Sequence, residues 1–163
     1  MGSDREYPRH AIAAVGAVLI RDGKILLVKR KYPPGKGKWS VPGGVLEPGE
    51  KLVEAARREL LEETGLEAEP QGVLWILNNV VYDENRRVLY HYLIVDVLFD
   101  PDTVRGEPKP GSDAEEVAWI DLAEAKSRTD VSRTVKRLIE RIERYGLTTL
   151  PLEGVDFETT TKA

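Results

Sequence analysis

Three glutamates, Glu59, Glu62 and Glu63, fall within five residues of one another, in a stretch where Leu52, Val53, Ala56 and Leu60 recur at spacings of three and four. That period predicts a helix from Leu52 to about Gly65, a residue suited to the left-handed backbone that ends helices. The three carboxylates then share about 100° of arc beside the apolar stripe. Like charges so crowded repel unless a cation or a proton relieves them, and hard divalent ions such as Mg²⁺ prefer oxygen ligands. Just upstream, Val41-Pro42-Gly43-Gly44 brings two glycines close to the helix start. There an unhindered carbonyl can complete a metal shell and free amides can meet phosphate oxygens. A Glu-rich helix alone is more often a solvated face, and a Gly pair alone more often a plain turn. The combination is what points to metal-assisted phosphate chemistry.

Charges of the opposite sign stand beside this stretch. Lys29-Arg30-Lys31, with Lys36 and Lys38, can neutralise substrate phosphates, although a solvated strand end explains them equally well. Arg30 and Lys29 are the phosphate-binding candidates. Tyr32, Trp39, Tyr82, Tyr90 and Tyr92 can stack on a base, but aromatic residues in strands more often pack in a sheet.

The elements that must position these groups follow from period and punctuation. Ala11 to Ile20 and Lys24 to Arg30 are β-branched and aliphatic, and Arg21-Asp22-Gly23 between them predicts a hairpin of two paired strands. Tyr32 to Pro48 reads as loop, with a short strand at Trp39 to Val41. Beyond the helix, Gly72 to Tyr82 and Val88 to Phe99 read as strands joined by Asp83 to Arg86, and Val117 to Ile120 as a short one. Val131, Val135, Leu138, Ile139, Ile142 and Tyr145 mark a second amphipathic helix, with Asp130 as its expected N-cap. The order predicts an α/β fold with a mixed sheet between two long helices.

With 163 residues, one domain is expected, from about residue 8 to 146, with residues 147 to 163 as a looser tail. Cysteine is absent, so any metal must be held by oxygen or imidazole. A net charge of -4 gives no overall attraction to duplex nucleic acid. No stretch approaches the roughly 20 apolar residues of a membrane span, and Met1 to Arg9 lacks signal-peptide character. The expected location is the cytoplasm, away from membranes.

Gly44, five residues, Glu50, seven residues, Arg58-Glu59-Leu60, one residue, Glu62-Glu63, one residue, Gly65-Leu66 matches the Nudix box at all nine defined positions. The chain resembles the Nudix hydrolase family from Val15-Gly16-Ala17-Val18 through Trp119-Ile120 into the last helix. The resemblance implies a Nudix-type α/β/α sandwich that hydrolyses a nucleoside diphosphate linked to another moiety, with Mg²⁺ (alternatively Mn²⁺) as cofactor. By position it makes Glu59 and Glu63 the principal metal ligands, Glu62 the third acid and the Gly43 carbonyl a further ligand, with Arg58 orienting the carboxylates. The family's general base is a box carboxylate or an acid from a later loop, here Glu62, Asp113, Glu115 or Glu116. Many members are dimers, so a homodimer is a partner state to test.

Lys29 to Pro34 and Tyr90-His91-Tyr92-Leu93-Ile94-Val95-Asp96 look most like the small bacterial and archaeal ADP-ribose pyrophosphatases. That resemblance implies ADP-ribose as substrate, with AMP and ribose 5-phosphate as products. Tyr82 departs from it. The ADP-ribose marker is a Pro at this place, and a Tyr is associated with dinucleoside polyphosphate hydrolases. Dinucleoside polyphosphates and nucleoside triphosphates are therefore the alternative substrates, and a non-catalytic nucleotide sensor the alternative class.

Overall fold

The computed structural model describes residues 5–161. In chain order its elements are β1 (Ile12–Val18), β2 (Ile20–Arg21), β3 (Lys24–Arg30), β4 (Trp39–Ser40), β5 (Gly43–Val45), α1 (Leu52–Thr64), β6 (Pro70–Tyr82), β7 (Val88–Phe99), β8 (Ala114–Asp121), α2 (Leu122–Ser127) and α3 (Arg133–Tyr145). A mixed sheet runs β5-β1-β7-β6, with β1 parallel to β7 and the other pairs antiparallel. A second, antiparallel sheet is centred on β3, which pairs with β2, β4 and β8.

Alternation along the strands gives each sheet face its own helix. Ala17, Leu19, Leu26, Val97 and Phe99 pack with Ala56 and Leu60 of α1. Their neighbours Val18, Ile25, Leu27, Leu98 and Ile120 pack with Val135, Leu138 and Ile139 of α3. Period-two side chains in central strands thus build the α/β/α sandwich. Among the described residues no helix is long and apolar enough to cross a membrane.

Three local expectations need correction. The Asp22-Gly23 turn closes a hairpin of only two pairs, Ile20 with Ile25 and Arg21 with Lys24. The long strand before it lies instead between β5 and β7. Val15, Ala17, Val18 and Leu19 are buried whichever way they point, and such a strand needs neighbours on both edges and a layer on both faces. The N-cap of α3 is Ser132, whose Oγ accepts from the Val135 N–H at 3.3 Å. Asp130 instead receives the Arg128 guanidinium at 2.7 and 2.8 Å, while its carbonyl takes the Trp39 N–H. Strand β5 and helix α2 went unread; α2 is a six-residue turn capped by Asp121, too short to show a period.

The segment after α3 does not hang free. Val73 and Leu150 exchange both backbone hydrogen bonds, at 3.0 and 2.9 Å, which seats the tail on the outer edge of β6.

Candidate active site

Helix α1 points two of its glutamates inward. Glu63 is 3% exposed and Glu59 8%, both against the loop and strand that carry Gly43 and Gly44. Glu63 Oε1 accepts the Gly43 N–H at 3.1 Å. This packing needs both glycines. A Cβ on Gly43 would come within 2.3 Å of the Val15 carbonyl, and one on Gly44 within 2.5 Å of Glu59 Oε1.

Burial raises the carboxyl of Glu63 to about 8, and the neighbouring charge of Glu59 adds to the effect; the Gly43 amide and Arg30 act against it. Burial also raises Glu59, with Arg58 opposing. At neutral pH and without a cation, the favoured state of this pair therefore keeps a proton on Glu63. A divalent ion would release it. The donor chemistry of the pair fits a hard metal, since every available ligand atom is oxygen.

Arg58 joins the cluster together. Its Nε and Nη2 reach the two oxygens of Glu50 at 2.7 and 3.0 Å, its Nη1 reaches Glu59 at 2.7 Å and Glu62 at 3.4 Å, and Nη2 also donates to the Val45 carbonyl. Glu50 is held below the usual carboxylate range by this guanidinium. Among the described residues no three acidic or imidazole side chains converge tightly enough to enclose a cation. Arg58 stands where Glu59 and Glu62 would otherwise approach each other, and Glu62 remains open to solvent.

The loop before β8 closes over the other end of the helix. Lys109 N–H donates to the Thr64 carbonyl at 2.8 Å and Gly111 N–H to that of Glu63 at 3.3 Å, satisfying carbonyls a helix end leaves free. This anchors Asp113, whose carbonyl takes the Lys31 N–H and whose charge adds to the upward shifts of Glu59 and Glu63. Arg30 bonds the Pro34 carbonyl through Nε at 2.7 Å, and its field reaches Glu63.

Other candidates lie further off or are already paired. Lys29 and Glu116 face each other across β3 and β8 and form an ion pair at 3.4 Å. Tyr82 sits at the far end of β6, seven residues past Trp75, which is level with Asp96, Gly16 and Gly43. At ~3.3 Å per residue it stands roughly 20 Å from that level. Its ring is 53% exposed, with the Arg86 guanidinium 5.5 Å from the centroid.

Sequence reasoning missed Asp96. Fully enclosed beside Gly16, it takes the Trp75 indole N–H on Oδ2 at 2.6 Å and has no partner on Oδ1. Burial pushes its carboxyl up to about 6. A Cβ on Gly16 would fall 2.0 Å from Oδ1, so the glycine is what makes room for the acid.

A sandwich of this topology, with a glutamate helix packed on a Gly-Gly strand, defines a class, and the NUDIX domain family matches residues 10–142. The chain belongs to the NUDIX family. It is 38% identical, over 113 residues, to the ADP-ribose pyrophosphatase of Methanocaldococcus jannaschii, a match covering 69% of this chain and 63% of that protein. The chain thus spans under two thirds of that relative's length. Among solved structures it resembles the MutT NUDIX hydrolase of Burkholderia pseudomallei, with a TM-score of 0.71 and 26% identity over 82% of this chain and 99% of that one. It also resembles a bifunctional NMN adenylyltransferase/ADP ribose pyrophosphatase of Francisella tularensis complexed with AMP and a Mn ion. That likeness has a TM-score of 0.63 and 27% identity, covering 83% of this chain and 42% of that one.

Proposed function

We propose that this protein is a cytoplasmic, divalent-metal-dependent hydrolase of the pyrophosphate bond in a nucleoside diphosphate linked to another group, with ADP-ribose cut to AMP and ribose 5-phosphate. The observation that carries the reading is the buried Glu59–Glu63 pair pressed against Gly43-Gly44 and steadied by Arg58. Two carboxylates kept out of water with a single bonded guanidinium between them, on Glu59 alone, are expensive to maintain and suit a site built for a cation.

Glu59, Glu63, Glu62 and the Gly43 carbonyl would hold Mg²⁺ or Mn²⁺. When bound, such an ion neutralises charge on the two phosphoryl groups and acidifies a water ligand. Arg58 keeps Glu59 oriented through its short bond while Glu50 holds the guanidinium from the other side. Glu62 or Asp113 accepts the proton of the attacking water. Arg30 sits near enough to bear on Glu63 and would meet a phosphate oxygen, with Lys31 beside it. Lys29 and Glu116, paired with each other, would join substrate handling or catalysis only after parting.

The decisive experiment is product analysis with Mg²⁺ on ADP-ribose, other ADP-sugars, diadenosine polyphosphates and nucleoside triphosphates. The expected result is a higher kcat/KM for ADP-ribose than for the others. Diadenosine tetraphosphate favoured tenfold, about 1.4 kcal/mol of differential transition-state binding, would replace the substrate and leave the reaction class standing.

A further inference from the structure

The metal-bearing helix starts without a cap of its own. Lys51 occupies the N-cap position of α1, and its side chain has no acceptor to offer the first-turn amides. The acceptor comes from the other end of the chain: Asp156 Oδ1 takes the Leu52 N–H at 2.8 Å, across 104 residues of sequence. Among the described residues this is the one side chain that accepts from a first-turn amide of α1.

The route to that contact is built into the fold. Beyond α3, Leu150 pairs with Val73 on the edge of β6, and Gly72 leaves the space that this requires, since a Cβ there would come 2.6 Å from the Leu150 carbonyl and from Thr149 Oγ1. A turn then bonds Val155 N–H to the Leu152 carbonyl, with Gly154 at φ 78°, and delivers Asp156 to the helix. The segment is a strap fastened to the sheet at one point and to α1 at the next.

We infer that Asp156 is a positioning residue: through this strap it holds the N-terminal end of α1 down and so keeps the Glu59–Glu63 pair at the spacing that binds a divalent cation. The inference rests on the metal reading above. Glu63 and Glu59 keep their places only while the helix lies close on Gly43-Gly44, where Glu63 accepts the Gly43 amide and Glu59 fills the space beside Gly44. The C-terminal end is tied by Lys109 and Gly111. At the N-terminal end, beside the Glu50–Arg58 link, the strap supplies the tie, and a carboxylate there also meets the positive end of the helix dipole.

The test uses the full chain and three variants, Asp156→Asn, Asp156→Ala and Asp156→Lys. Asn keeps an acceptor, Ala removes it and Lys reverses the charge. In metal-free protein, amide exchange over Leu52 to Ala55 should quicken about fivefold in Asp156→Ala and more in Asp156→Lys, with Asn close to wild type. Titration with Mn²⁺ alone, followed by the spin resonance of the free ion, should give a dissociation constant roughly two- to fivefold higher for Ala and restored by Asn. Unchanged exchange in Asp156→Ala would overturn the cap. Faster exchange with unaltered Mn²⁺ affinity would overturn the positioning role and leave a merely structural tie. A wild-type protein that binds no Mn²⁺ would sink the metal reading, and with it the positioning role, while the exchange arm still scores the cap.

Discussion

Glu63 links stability to the proposed activity. Its carboxyl is raised from an ordinary value near 4.5 to about 8, so the native state binds a proton that the unfolded chain releases. With a chelator present, this contribution to stability is complete below about pH 4.5 and is lost progressively as pH rises through about 8, by up to ~1.4 kcal/mol per pH unit. Thermal melts of metal-free wild type should fall across that window. In Glu63→Gln the slope should flatten, and the variant should melt higher than wild type at pH 8. The same substitution removes a proposed metal ligand and should lower kcat by orders of magnitude at saturating Mg²⁺. A fully active Glu63→Gln protein would remove Glu63 from the site. Arg30→Ala should raise KM or lower kcat/KM for the best substrate more than it lowers Tm, because the half-buried side chain gives up one bond to the Pro34 carbonyl in folding and a charge-assisted phosphate contact in binding; unaltered kinetics would leave Arg30 with a structural role alone. The burial of Glu59 and Glu63 beside the apolar stripe was legible in sequence because a helical period fixes their angular placement, whereas Glu62, expected with them, lies open to solvent. Glu50 as the partner of Arg58 was less so, since it lies outside the helix, and the turn that closes from Glu47 to Glu50 had to be known first.

At the scale of elements, the central strands set the tightest constraint. Gly16 of β1 and Asp96 of β7 are register partners, and Trp75 of β6 pins the acid from the next strand. Gly16→Ala must displace Asp96 or the strand and should cost about 1–3 kcal/mol in denaturant unfolding. Asp96→Ala frees that space, so the double variant should lose less than the sum of the two single losses; strict additivity would show that the two do not touch. Asp96 also titrates in the native state near 6 against an ordinary 3.8, so stability falls as pH rises between those values. Asp96→Asn should remove the Asp96 share of that fall and leave the share that Glu63 contributes above about pH 4.5. None of this was readable from the sequence, where strand existence is visible in β-branched runs but pairing is not. The hairpin expectation failed for that reason: an Asp-Gly turn reports which residues lie next to it, and nothing about where the longer strand beyond goes.

Over the whole molecule, the layer order and the amphipathic helices were foreseeable, because both follow from burial on one face. The two-sheet arrangement and the docked tail depend on contacts between distant segments. Parallel pairing of β1 with β7 joins residues about eighty apart in the chain, from Ile12 opposite Tyr92 to Val18 opposite Leu98. The same strand holds Gly43 against Glu63, so the carboxylate pair acquires its second wall only when β1 has been captured from both sides. Closing so long a loop is entropically slow and must precede the contacts that reward it. A chain emerging from the ribosome could form α1 early, and its acids would then stay solvated, without the proposed shared site, until β7 had emerged. Assembly of the proposed metal site would thus be a late event of folding, gated by the arrival of a strand that carries none of the glutamates.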